Sequence, residues 1–153
     1  MRNQNRKNLR LPHYDYSLPG AYFITIVTYN RRCMFGSIVN GEMILNDAGQ
    51  MIDSVCIELS NVNPGVELEP YIIMPNHFHA VVTINSNSLS TDFLLSVVRN
   101  DVCQKDMEVE KSKISLPKVV QRFKSITTRR YIDGVERYNW PRFDQHLWQR
   151  NYY

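Results

Sequence analysis

The residues with the clearest chemical potential are His77 and His79, separated by Phe78. Side chains of a strand alternate between faces, so His77, His79, Val81 and Thr83 share one face while Phe78, Ala80, Val82 and Ile84 share the other. The second set is an apolar stripe suited to a core. The first set presents two imidazoles whose Cβ atoms lie ~7 Å apart, from a rise of ~3.3 Å per residue. Two side chains so placed can converge on one ion. Two neutral imidazoles leave coordination positions open, as a catalytic site requires and a closed structural zinc site does not. An ion held there would polarise a phosphodiester oxygen and orient the leaving group.

The elements around this pair follow from local patterning. Ala21–Tyr29 is rich in β-branched and aromatic residues, with Phe23 and Val27 on one face and Tyr22, Ile24 and Ile26 on the other, which predicts a central strand buried on both sides. Ile38–Leu45 around Asn40-Gly41 reads as a hairpin on a type I′ turn. Asn46 or Asp47 caps a helix running to about Ser60, with Ile52, Cys56 and Leu59 on its apolar face. Val66–Met74 and His77–Ile84 form an antiparallel hairpin through Pro75-Asn76. Residues 85–115 read as a surface insertion with a short apolar piece, Phe93–Val98.

From Ser115 to Tyr131 the pattern is helical, with Val119, Val120, Phe123, Ile126, Thr127 and Tyr131 on one side and Lys118, Arg122, Ser125 and Arg129 on the opposite side. Lys124 falls at the edge of the apolar side. Tyr138 reads as part of a linker from Gly134 to Pro141, and Arg142–Gln149 as a last extended piece. The order strand, helix, strand, strand, helix, strand is that of an α+β, ferredoxin-like sandwich with an antiparallel sheet and its helices on one face. Residues 1–20 form a basic arm, and 21–153 one domain.

The chain has 153 residues, 43% of them hydrophobic and 22% charged, which suits one globular domain and excludes wholesale disorder. Its apolar runs are too short to span a bilayer, and the basic start has no apolar stretch behind it, so the expected location is cytoplasmic. Three cysteines without a C-x-x-C pair indicate neither a disulfide framework nor a cysteine zinc site. Net charge is +3, but residues 1–32, 33–116 and 117–153 carry +5, −7 and +5. Two basic ends around an acidic middle suit a one-sided phosphate-binding surface, with Lys118, Arg122, Lys124 and Arg129 on the helix and Arg6, Lys7 and Arg10 in the arm.

The string Tyr71-Ile72-Ile73-Met74-Pro75-Asn76-His77-Phe78-His79 resembles the His-hydrophobe-His motif of the single-tyrosine HUH transposases, in particular the REP-associated tyrosine transposase group. Further likenesses follow in the same order: Arg10-Leu11 with Tyr14-Asp15-Tyr16, Gly20-Ala21-Tyr22-Phe23, Thr28–Arg32, Gly41-Glu42-Met43, Phe123-Lys124-Ser125 and His146–Tyr153. The resemblance implies a protein that binds hairpin-forming single-stranded DNA, commonly as a homodimer and associated with the nucleoid. It implies Mg²⁺ or Mn²⁺ held by His77, His79 and a further polar side chain, and a tyrosine that attacks the scissile phosphate to give a 5′-phosphotyrosine. In such proteins that tyrosine lies on a helix after the segment matching Leu147–Tyr153, so the expectation is a domain truncated before its nucleophile. Tyr131 reads as core, and neither Tyr138, Tyr152 nor Tyr153 is assigned the role. Two other readings of the residues stay open: a non-catalytic nucleic-acid binding module, and a metal-dependent nuclease in which water attacks.

Overall fold

The computed structural model describes residues 13–62, 65–85 and 114–153. Its elements are β1 (Gly20–Val27), the hairpin β2 (Gly36–Val39) and β3 (Glu42–Leu45), α1 (Asp47–Val62), β4 (Val66–Met74), β5 (His77–Ile84) and α2 (Leu116–Tyr138). β1, β5 and β4 form an antiparallel sheet in that order, and β2 pairs with β3 separately. Arg6, Lys7, Arg10 and nearly all of the 85–115 insertion lie outside the described residues.

Local chemistry accounts for most boundaries. Asn40 and Gly41 carry φ of +52° and +85°, the left-handed pair that a type I′ turn needs. The Asn46 side-chain oxygen accepts from Gly49 N–H at 2.9 Å and caps the start of α1. Alternation along β5 is realised in full: Phe78, Ala80, Val82 and Ile84 are buried, and His77, His79, Val81 and Thr83 are half-buried on the opposite face. Both helices cover the apolar face. Phe78 stacks on Phe123 of α2 with ring centres 4.7 Å apart, and the Tyr71 hydroxyl on β4 donates to Asp53 of α1 at 2.7 Å. Arg130 of α2 and Glu58 of α1 pair at 2.6 Å across the helix seam. The architecture is the expected α+β sandwich.

Three details differ from the sequence reading. β5, not β1, is the central strand, and β1 is buried on one side only: Ile24 and Ile26 are in the core while Phe23 is 67% exposed. The second helix runs seven residues past Tyr131, because Gly134 does not break it. A side chain at 134 would collide with the indole of Trp140, so this glycine permits a close approach. The helix stops at Asn139, in the left-handed conformation at φ +56°, and Tyr138 is therefore helical and not part of a linker.

The piece Arg142–Gln149 forms no continuous strand and meets β1 through one bridge, Thr28 to Trp148. Its anchor is the Trp148 indole, which donates at 2.9 Å to the Thr127 hydroxyl of α2, itself donating to the Phe123 carbonyl at 2.7 Å. Further on, Tyr153 exchanges backbone hydrogen bonds with Thr25, so the end of the chain lies along the outer edge of β1.

Candidate metal and nucleic-acid site

The imidazoles of His77 and His79 emerge on the sheet face opposite the helices, where β5 puts Thr25 and Val27 of β1 directly beside them. Their ring centres are 4.7 Å apart at an interplanar angle of 79°. This is closer than the ~7 Å spacing of alternate residues on a strand, so the rings lean towards each other.

Each ring is oriented through Nδ1. His77 Nδ1 lies 2.7 Å from the side-chain oxygen of Asn76, and His79 Nδ1 lies 2.8 Å from Thr25 Oγ1. The Asn76 amide is itself fixed, since its Nδ2 donates to the Arg31 carbonyl at 3.2 Å. An amide oxygen only accepts, so His77 carries its proton on Nδ1 and keeps a lone pair on Nε2. The backbone of Asn76 is held as firmly, its carbonyl accepting from Thr28 N–H at 3.0 Å and from the Thr28 hydroxyl at 2.9 Å. Burial, and then the positive charge that His79 would carry, hold the His77 pKa below its ordinary value of 6.5. Both effects favour the neutral ring that a cation needs.

The spacing of the two ring centres is one that a shared divalent ion would give. With metal–nitrogen bonds of ~2.1 Å, two imidazoles bound at about a right angle have ring centres roughly 4.5–5 Å apart. Hydrogen-bonded outer nitrogens are also the usual second support of ligating histidines. Among the described residues no third His, Cys, Asp or Glu joins them in a cluster, so the pair would supply two ligands and leave the rest of the shell to water, substrate oxygens or other donors.

The basic helix faces elsewhere. α2 covers the apolar side of the sheet, so its cations are separated from the imidazoles by the sheet itself. Lys118 and Arg129 are exposed, as the angular pattern predicts. Arg122 is half-buried, with its Nε enclosed and lacking a hydrogen-bond partner among the described residues. Lys124 has a different task from the one its charge suggests. Its ammonium donates to the carbonyls of Gln149, Arg150 and Asn151 at 2.8, 3.3 and 3.0 Å, and burial lowers its pKa to about 8. It fastens residues 149–151 to α2. Beside it a groove of about 1020 Å³ runs between α2 and residues 143–150, with Arg129, His146 and Arg150 on its walls.

Of the tyrosines weighed as nucleophiles, Tyr131 is fully buried and donates to the Pro141 carbonyl at 3.0 Å, as a core residue does. Tyr138 ends α2, and Tyr153 is 60% exposed beside β1. Thr25 and Asn76 were absent from the sequence-derived site. Adjacency to His77 marks Asn76, whereas Thr25 becomes visible only through the β1–β5 register.

No family model matches the chain. Similar solved structures include a provisionally assigned transposase from Deinococcus radiodurans R1, with a TM-score of 0.55 at 14% identity over 94% of this chain and 82% of that one. A REP-associated tyrosine transposase bound to a REP hairpin gives a TM-score of 0.53 at 14% identity, covering 94% of this chain and 59% of that chain. The fold is therefore transposase-like. An uncharacterized protein of Haemophilus influenzae strain Rd is 32% identical over 152 residues, covering 97% of this chain and 77% of that protein. By that relationship the chain belongs to the family of the H. influenzae protein.

Proposed function

We propose that the protein is a DNA transposase-like protein of the His-hydrophobe-His class, which binds hairpin-forming single-stranded DNA and seats a scissile phosphate at Mg²⁺ or Mn²⁺ held by His77 and His79. The observation that carries this reading is the convergence of the two rings, each oriented through Nδ1, on the open face of the sheet. The neighbour bound to a REP hairpin shares the fold and supports a DNA partner.

His77 and His79 would hold the ion, which when bound would supply polarisation of the phosphodiester. The protein's own residues do the positioning. Asn76 and Thr25 orient the imidazoles, Asn76 leaving His77 Nε2 available, and Phe78 on the opposite face of the strand anchors it in the core. Lys118, Arg122 and Arg129 lie across the sheet and hold flanking DNA, not the strand at the histidines. In the complete reaction a tyrosine hydroxyl attacks the phosphorus and gives up its proton to water, the 5′-phosphotyrosine bond forms as the P–O3′ bond breaks, and the departing 3′-oxygen takes a proton from water to become a hydroxyl, so that one proton is released and one is taken up. Two copies acting together as a homodimer at the nucleoid suit the handling of two DNA hairpins.

The test is binding and cleavage of labelled hairpin oligonucleotides with single-stranded tails, with and without Mg²⁺ or Mn²⁺. The expected result is tail-dependent binding that the metal strengthens and that His77→Ala and His79→Ala each weaken. Binding of blunt duplex as tight as that of the tailed hairpin, with no response to metal or to either variant, overturns the reading. Strand ends that emerge free of protein identify water as the attacking group.

A further inference from the structure

β1 leaves one large aromatic side chain in water on the face that carries the histidines. Phe23 is 67% exposed, although Ile24 and Ile26 of the same strand are wholly in the core. A single exposed apolar residue is ordinary and means nothing by itself. The orientation of this one is what matters. Its ring lies nearly parallel to that of His79, at 21° and with centres 5.4 Å apart, in an offset stack. The cross-strand register sets this up, because Thr25 faces His79 and Phe23 faces Val81, one step along the same face.

His79 is thus flanked by Thr25, which binds its Nδ1, and by a flat ring that extends the aromatic surface away from the ion seat. We propose that Phe23 is a stacking platform for an unpaired nucleobase, next to the phosphate held at His77 and His79. This rests on the reading that the histidine face handles single-stranded DNA. Unpaired bases stack on exposed aromatic rings irrespective of sequence, because every base has a π-face, whereas paired bases are already stacked in the duplex. On this face Thr25, His77, His79 and Thr83 are interleaved with Phe23, Val81 and the half-exposed Ile72, which offers polar contacts for a phosphate beside apolar contacts for a base.

The experiment measures fluorescence anisotropy of three labelled oligonucleotides, a tailed hairpin, the same hairpin with one abasic position in the tail, and a blunt hairpin, with Phe23→Ala, Phe23→Tyr and Phe23→Trp. Phe23→Ala is expected to weaken tailed-hairpin binding about ten-fold, leaving the blunt hairpin unaffected. Phe23→Tyr and Phe23→Trp retain affinity, and the new indole of Phe23→Trp is quenched when the tail binds. At one abasic position the loss from Phe23→Ala disappears, since the partner base is already gone. Wild-type protein that binds the tail, with Phe23→Ala equal to it and the indole unquenched, overturns the platform alone. A shift of Phe23→Ala to a smaller species in sedimentation, with DNA binding unchanged, assigns the face to a second copy and also overturns it. Wild-type protein that binds no tailed hairpin overturns the reading at the histidines and the platform with it.

Discussion

Thr25 and His79 stand opposite each other on β1 and β5, and Thr25 Oγ1 lies 2.8 Å from His79 Nδ1. One cross-strand pair therefore sets the rotation of an imidazole at the site. Removing such an outer contact typically costs 10–100-fold in metal affinity. Thr25→Val, which keeps the shape and removes the hydroxyl, is expected to weaken Mn²⁺ binding by about ten-fold, while Thr25→Ser preserves it. Calorimetry or Mn²⁺ paramagnetic resonance measures both, and equal affinity in the two variants would count against the arrangement.

The His77 imidazole titrates below its ordinary value, through burial first and the charge of His79 second. Unfolded chain takes up this proton before folded protein does, so the group's contribution makes stability fall as pH drops below about 6.5 and levels off once the folded ring is also charged. Mn²⁺ binding, which would need the neutral ring, is expected to persist to lower pH than an ordinary histidine would allow. Denaturant unfolding between pH 5 and 7.5 is expected to lose part of this slope in His77→Gln, and a slope identical to wild type would show that His77 does not supply it.

Arg129 is exposed on α2, and Arg122, two turns earlier, is half-buried with its Nε unpartnered among the described residues. As phosphate contacts, each should release about one counterion on binding. Changing both to Ala is expected to lower affinity for hairpin stems and to make log affinity fall less steeply with log salt, by about one to two in slope. A titration from low to moderate salt decides it. An unchanged slope would place the DNA elsewhere.

Lys124 binds three carbonyls of the terminal segment. Hydrogen bonds to a charged donor are worth ~1.5–3 kcal/mol, so Lys124→Met is expected to destabilise by about 2 kcal/mol and to lower Tm by several degrees. Hydrogen exchange should rise at Gln149–Asn151 before it rises in β5. Equal protection there in the variant and the wild type would deny the latch.

Much of this arrangement is legible in sequence because it is local. The 77–84 alternation, the Asn40-Gly41 turn and the Asn46 cap each depend on residues within a few positions of one another. What escapes sequence reading depends on distant partners. Gly134 reads as a break, yet it continues the helix because Trp140 occupies the space of its missing side chain. Lys124 reads as a cation at the edge of the apolar side of its helix, and the carbonyls 25 to 27 residues away that it binds lie beyond any local pattern. β1 has two apolar faces, and its own residues cannot say which one the helices cover. The register with β5 decides that, leaving Ile24 and Ile26 inside and Phe23 outside.

The outer edge of β1 is covered where Tyr153 exchanges hydrogen bonds with Thr25, the residue that also steers His79. One threonine thus joins two neighbours, holding Tyr153 through its backbone and the His79 imidazole through its hydroxyl, so a shift of β1 at this point would move both.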